Sequence, residues 1–305
     1  MRHSNVPGRL VTAAALALLL PACSVKMMAI NSLGNALAEG SSVYATDDDP
    51  ELVWDAVPFG LKTIEGLIEE SPRHKGLLLA ATSGFTQYAY GSLQQEADVV
   101  EDADLARATV LRDRAKRLYL RARDYGLRGL DVSVQGFSEQ VRRDRDTALG
   151  RLRREQVPLL YWTAAAWALA ISNGKADMGL VAELPAPVAM MERALALDEA
   201  WDEGAVHEFF VTFDATRSAA EGGGADRAKA HLERALALSM NKKLGPRVSW
   251  AEGVLVQRQD RAEFTRVLEE VLRADPGEVP RYRLANVLAQ RRAKALLAHA
   301  DDLFL

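Results

Sequence analysis

The hydrophobic positions of this chain recur at the spacing of α-helices. Between residues 103 and 130 the apolar positions advance by alternating steps of four and three, which places them on one face of a helix. These positions are Leu111, Ala115, Leu118, Ala122 and Tyr125. Segments 77–90 and 158–171 are apolar on every face, which predicts helices enclosed between neighbouring helices. No segment alternates strictly between polar and apolar residues over the length of a strand, so the pattern predicts an all-α fold.

Four segments share one apolar pattern, in which a large apolar residue is followed by Glu and apolar residues recur at offsets 0, 3 and 4. They are 64–72, 191–199, 232–240 and 268–276. The last three begin 41 and 36 residues apart, close to the period of about 34 in a tetratricopeptide repeat. The pattern predicts divergent tetratricopeptide-like helical hairpins stacked as an α-solenoid, with a last long helix over 279–303 as its cap. Chance similarity among amphipathic helices is the alternative.

The N-terminus carries the pattern of a bacterial lipoprotein signal. Arg2 and Arg9 precede an apolar stretch over 10–20, which is shorter than the roughly 20 residues of a bilayer span and fits a secretory signal. The stretch leads into Leu-Pro-Ala-Cys, ending at Cys23. This resembles the lipobox, where the cysteine sulfur is linked to diacylglycerol through a thioether and the cysteine becomes the new N-terminus. Because Cys23 is the only cysteine of the chain, it is the predicted lipidation site. An ordinary signal peptide that happens to contain a cysteine is the alternative.

These features divide the chain into three predicted parts. Residues 1–22 form the lipoprotein signal peptide, 23–45 a lipid-anchored segment, and 46–305 one all-helical domain. No later segment approaches 20 apolar residues, so we expect the mature protein to reach the membrane through its lipid anchor only. Ser24 after the predicted lipidated cysteine resembles lipoproteins that are sorted to the outer membrane. The sequence therefore predicts a cell-envelope protein that faces the periplasm.

Composition and charge narrow the functional classes. The chain has 305 residues, of which 49% are hydrophobic and 26% are charged, and this balance excludes a chain that is disordered throughout. The formal net charge of −4 argues against a nucleic-acid partner. The five histidines lack the spacing of metal ligands, and a single cysteine precludes an intrachain disulfide.

Motifs of catalysis do not occur in the sequence. There is no Gly-x-Ser-x-Gly, and 222–224 lacks the Lys-Ser/Thr that would follow in a phosphate-binding loop. His207-Glu208 lacks the second histidine of a zinc helix, since position 211 is Val211. We therefore predict a protein that is not an enzyme, with no catalytic residue, no metal ligand and no cofactor.

Aromatic side chains on the two enclosed helices are the candidate lining of a ligand groove, because they combine flat apolar area with a polar group on Tyr and Trp. The candidates are Phe85, Tyr88, Tyr90, Tyr161, Trp162 and Trp167. Packing in the core is the alternative for most of them, since both helices are predicted to be buried.

Several stretches of the chain resemble one family of bacterial lipoproteins. They are 84–90 (Gly-Phe-Thr-Gln-Tyr-Ala-Tyr), 117–125 (Arg-Leu-Tyr-Leu-Arg-Ala-Arg-Asp-Tyr), 157–167 (Val-Pro-Leu-Leu-Tyr-Trp-Thr-Ala-Ala-Ala-Trp), and the ending over 286–304. In order and extent they are similar to the TatT-type lipoproteins, the T components of tetratricopeptide-repeat-associated TRAP transporters. The similarity covers nearly the whole mature chain.

The resemblance implies an α-helical fold with cryptic repeats, a homotrimer, and a periplasmic solute-binding P component as partner. It also implies a role in delivering a ligand to a sodium- or proton-coupled membrane transporter, in which a small molecule passes through a channel of the trimer. A generic repeat scaffold of the cell envelope is the alternative function, and it shares the anchor and the fold.

Overall fold

Residues 42–305 are described by a computed structural model of the chain, and they form α-helices joined by short turns. The predicted signal peptide and Cys23 lie outside the described residues. No strand occurs within 42–305, which confirms the predicted all-α fold for this part of the chain. In chain order the helices are α1 (Ser42–Ala45), α2 (Pro50–Glu70), α3 (Lys75–Tyr88), α4 (Gln95–Val100), α5 (Leu105–Ser133), α6 (Phe137–Arg143), α7 (Arg145–Gly150), α8 (Val157–Ser172), α9 (Met178–Val181), α10 (Pro185–Leu197), α11 (Ala205–Ala215), α12 (Ala225–Leu238), α13 (Gly245–Trp250), α14 (Arg261–Arg273), α15 (Arg283–Ala298) and α16 (Ala300–Leu303).

Aspartate side chains fix where five of these helices begin. Each carboxylate accepts a hydrogen bond, 2.9 to 3.2 Å long, from the backbone N–H three residues later. These N-caps are Asp49, Asp104, Asp144, Asp177 and Asp260. Because the first N–H groups of a helix have no partner within the helix, such a cap both satisfies a donor and sets the boundary. None of the helices in the described range is both long and apolar enough to cross a bilayer.

Neighbouring helices pack against one another along the chain. In the first half α2 packs on α3, α3 on α5, α5 on α8, and α8 on α10. The approach of α5 to α8 is close at Gly126, where an added Cβ would lie 2.1 Å from Thr163 Oγ1. In the second half α11 packs on α12 and α13, and α13 packs on α14 and α15.

This packing produces two separate hydrophobic cores. The first extends from α2 to the start of α11 and contains Tyr119 and Trp167, both fully buried. The second extends from α11 to the end of the chain and contains Phe264. Helix α11 takes part in both, since Phe210 belongs to the first core and Val211 to the second.

The two ends of the described chain meet. Helix α15 packs against α1 and α2. Arg291 Nη2 lies 2.8 Å from Glu51 Oε2, and Arg283 Nη1 donates to the Thr46 carbonyl at 3.4 Å. The helices therefore form a closed ring, in which apolar packing at α11 joins the two cores on one side and polar contacts join them on the other.

Two predicted elements differ in detail from the observed ones. On α5 the fully buried stripe contains Ala115, Tyr119 and Ala122, whereas Leu118 is only partly buried. Tyr119 can be buried because its hydroxyl donates to Gln94 Oε1 at 2.8 Å. The predicted last helix over 279–303 is a single-turn 3-10 helix, Pro280–Tyr282, followed by α15 and α16, with a break at His299.

The four similar segments occupy equivalent places in the fold. Each forms the C-terminal part of a helix, and the helices concerned are α2, α10, α12 and α14. Their common place in the helices agrees with a shared origin. The stacking of tetratricopeptide-like hairpins as a solenoid stays a prediction.

Candidate functional site

Two short π-helical turns carry side chains that interact electrostatically. They are Ala89–Gln94, which follows α3, and Ala251–Leu255, which follows α13. Glu252 on the second turn raises the pKa of Tyr90 on the first, so the two side chains lie within electrostatic range. Turns of this type are rare and occur often at functional sites. The region between the two turns is therefore a candidate functional site.

Tyr90 is reached by water although protein surrounds it. The residue is 45% exposed, yet burial among protein atoms is the largest cause that raises its pKa to about 12. Tyr161 on α8 is partly exposed too, and burial raises its pKa even further. Side chains that are both accessible and surrounded lie in an interior concavity rather than on a convex surface. We call this concavity the recess and define it by Tyr90, Tyr161, Asp202, Glu208, Lys243, Glu252 and Arg292.

One wall of the recess is aromatic. The Tyr161 ring centroid lies 4.6 Å from that of Trp201 and 5.2 Å from that of Trp162. All three residues are partly exposed. They therefore present apolar faces and polar edges to whatever enters the recess.

Glu208 on α11 contributes a carboxylate without a hydrogen-bond donor from any residue within 42–305. Burial raises the pKa of this carboxyl, while the charge of Lys243 opposes the shift. Its Oε1 atom rests against the backbone of Gly245, where an added Cβ would lie 2.3 Å away. Glycine at 245 thus leaves room for the carboxylate beside the start of α13.

The two cations of the recess are held by carboxylates. Lys243 Nζ donates to the Asp202 carbonyl at 2.6 Å and to its Oδ2 at 3.0 Å. Arg292 donates to Glu252, with Nε 3.3 Å from Oε2, and its Nη2 lies 3.9 Å from Asp98 Oδ2. Neither cation forms a direct ion pair with Glu208, so this carboxylate is the acceptor that remains free for a ligand.

Strained backbone borders the same place. Asp202 and Glu203 have φ angles of 44° and 46°, in the left-handed region that side chains other than glycine rarely adopt. Lys243 holds Asp202, and Arg281 Nη2 holds Glu203 Oε1 at 2.7 Å. Strain that is held by such contacts is typical of functional sites.

The structure separates the six predicted aromatic candidates into two groups. Phe85, Tyr88 and Trp167 are buried in the first core, where Phe85 stacks on Tyr125 with 6.1 Å between centroids. Tyr90 and Tyr161 lie in the recess, and Trp162 lies beside Tyr161. Ligand binding by these three stays a proposal, and for the buried three the structure favours the core alternative.

Sequence reasoning did not select the charged residues of the recess. The sequence pattern marks Glu208 only as part of an incomplete zinc motif, and it does not mark Lys243 or Arg292. They lie on separate elements of the chain, and π turns have no sequence signature that would mark Glu252. Tertiary packing brings these side chains together.

A second polar cluster joins α11 and α12. His207 Nδ1 lies 2.8 Å from His231 Nδ1, and His207 Nε2 lies 3.1 Å from Glu199 Oε1. His231 Nε2 lies 3.6 Å from Oδ2 of the buried Asp214. A hydrogen bond between the two Nδ1 atoms requires one of them to carry no proton, so both rings cannot be cationic while it exists.

Stability should therefore fall as the solution is acidified. Burial lowers the pKa of both His207 and His231, so below about pH 6.5 the unfolded chain binds more protons than the folded chain, and protonation favours unfolding. Each extra proton changes the free energy of unfolding by about 1.4 kcal/mol per pH unit. We expect His231→Gln to reduce the slope of stability against pH between about pH 7.5 and 5.5, measured by urea unfolding.

Met178, which is exposed and does not titrate, supplies the control. Met178→Gln should keep the slope of the wild type. An unchanged slope in His231→Gln would show that the histidine pair does not govern the response to acid.

The fold and the recess together define the class of protein: it is all-helical, and its candidate site is one for binding a ligand. The chain belongs to the family described as "TRAP transporter T-component", whose sequence model matches residues 46–304. It is also similar to a protein of Treponema pallidum (strain Nichols) that is described as uncharacterized. The two are 30% identical over 306 residues, which cover 94% of this chain and 95% of that protein.

Membership of this family places the chain among the accessory components of TRAP transporters. The T component is a periplasmic component of the transport system and is not a known enzyme. This confirms the predicted family.

Proposed function

We propose that this chain is a lipid-anchored T component that assembles as a homotrimer, binds the periplasmic solute-binding P component, and passes a small ligand between that partner and its own recess. The observation that carries this proposal is the recess itself. It offers accessible Tyr90, Tyr161 and Glu208 side chains without protein hydrogen-bond partners in the described range. Transfer of a ligand requires such groups and no catalytic chemistry.

The proposed anchor is Cys23, with cleavage of the signal after residue 22 and a tether over 23–45. Residues 46–305 then form the TatT-type domain, for which we propose divergent tetratricopeptide-like hairpins stacked as an α-solenoid. Two acyl chains suffice for stable anchoring. Ser24 favours the outer membrane, so the domain would face the periplasm.

Exposed apolar side chains on α2 support self-association. Phe59 is 81% exposed and Leu52 is 59% exposed. They lie seven residues apart, on one face of the helix. Apolar side chains that share an exposed face often mark a protein contact, and a cyclic trimer would bury this face by repeating one heterologous interface around an axis.

Sedimentation of residues 24–305 tests the assembly and the partner together. We expect a trimer at tens of micromolar and a larger complex when the cognate P component is added. Phe59→Glu should give monomers, because a charge replaces a buried apolar contact. Met240, 69% exposed at the end of α12, supplies the matched control, and Met240→Glu should remain trimeric.

A wild-type monomer that does not shift with the P component would contradict the proposal. It would favour the generic envelope scaffold instead. A trimer that persists in Phe59→Glu would show that the interface does not include this face of α2. It would not contradict the transport role.

A further inference from the structure

We propose that the recess binds its ligand through a cationic amino group, held between the Glu208 carboxylate and the aromatic faces of Tyr161 and Trp201. The amine assignment rests on the proposed function, because it names the chemical class of the cargo that the recess would hold.

The first reason is the balance of charge around the recess. The charged groups that act on its two tyrosines and on Glu208 are the acids Asp98, Asp202, Glu208 and Glu252 and the bases Lys243 and Arg292. Arg112 reduces the field of Asp98, with its Nη2 2.9 Å from Oδ1, but the same guanidinium also binds Glu101. The acids still outnumber the bases, so the field inside the recess favours a cation over an anion.

The second reason is that both bases are already occupied. Lys243 makes two hydrogen bonds to Asp202, and Arg292 is bound to Glu252. An anionic ligand would have to displace one of these carboxylates to find a charged partner. A cation finds Glu208 without displacing anything.

The third reason is the aromatic wall. Tyr161 and Trp201 stand 4.6 Å apart with an angle of 47° between their planes, and Trp162 stands edge-on to Tyr161. Aromatic faces attract ammonium groups through the negative charge density of the ring. The Tyr161 and Tyr90 hydroxyls can also accept hydrogen bonds from an –NH3⁺ group, which carries three donors.

The geometry of Glu208 fits the same occupant. The carboxylate lies against the bare backbone of Gly245, and neighbouring protein has removed part of its hydration without supplying a donor. A partly dehydrated carboxylate without a hydrogen-bond donor is stabilised by a partner that supplies both positive charge and N–H donors.

Three probes of one shape test the ligand class on the wild-type protein. Benzylamine, which is protonated at neutral pH, is compared with neutral benzyl alcohol and anionic benzoate. Binding is followed by tryptophan fluorescence and by calorimetry. We expect benzylamine to bind at least about tenfold more tightly than either of the other probes. Equal binding of benzoate, or no binding of benzylamine, would overturn the proposal.

Two variants locate the site. Glu208→Gln keeps the size of the side chain and removes its charge, and it should weaken benzylamine binding about tenfold or more. Glu233→Gln, on the exposed face of α12, should bind benzylamine as the wild type does. Unchanged binding in Glu208→Gln would overturn the assignment of Glu208. If that variant fails to fold, the comparison of the three probes on the wild type still decides the class of ligand.

Failure of this proposal can be told apart from failure of the transport role. Sedimentation of the wild type with the P component measures whether the two proteins form a complex, and it needs none of the three probes. A complex without preference for the amine would overturn the amine class alone. Preference for the amine without a complex would overturn the role as T component and leave an amine-binding protein.

Discussion

Replacing Trp167 with alanine should lower the free energy of unfolding by about 3–5 kcal/mol. The side chain is fully buried in the first core, on α8. Its Nε1 donates to Glu183 Oε2 at 2.9 Å, and the guanidinium groups of Arg123 and Arg142 lie 5.5 and 4.9 Å from its ring. Alanine would leave a large cavity, and it would also leave the Glu183 carboxylate without this donor.

Urea unfolding followed by circular dichroism measures the effect. Trp167→Phe separates the two contributions in part, because it removes the N–H donor and keeps an aromatic ring of smaller volume. Trp162→Ala, on the same helix but partly exposed, is the matched control and should lose much less stability. A loss in Trp167→Ala no larger than in the control would contradict the place of Trp167 at the centre of the core.

Deleting residues 279–305 should make the chain aggregate at concentrations at which the whole protein stays soluble. The deletion removes α15 and α16, and with them Ala293 and Leu296, which are buried in the second core. It also removes Phe304, whose ring packs 4.9 Å from that of Phe264. The apolar faces of α13 and α14 would then lie open to water, and exposed patches of this kind associate.

Size-exclusion chromatography and thermal unfolding measure the outcome of the deletion. Removal of Leu305 alone, which is fully exposed, should leave both readouts unchanged. Glu51→Ala breaks only the ion pair with Arg291 at the closure of the ring. Because exposed pairs contribute at most about 1 kcal/mol, its effect should be small. A soluble truncated protein with the wild-type melting temperature would show that the ends of the chain do not support the second core.

The spacing of apolar residues predicted the helices because that spacing places the apolar side chains on the faces that helices bury. The segment 158–171 is apolar all round and forms α8, Val157–Ser172, enclosed by neighbours. The predicted burial was less accurate where a tertiary contact buried a polar side chain in place of an apolar one. Tyr119 is buried in place of Leu118 because the Tyr119 hydroxyl donates to Gln94. The apolar periodicity of α5 does not predict this hydrogen bond.

The sequence by itself determined the helical fold class and the family resemblance, and it predicts a lipoprotein signal at Cys23. Each of these depends on residues that are close in the chain or on strings that can be compared directly. The recess was decided by tertiary structure alone. Its charges and rings come from α8, α11, α15, the two π turns and other turns of the chain, and electrostatic interaction depends on distance in space. Those distances are set by the packing of the helices, and no local pattern specifies how helices far apart in the chain pack.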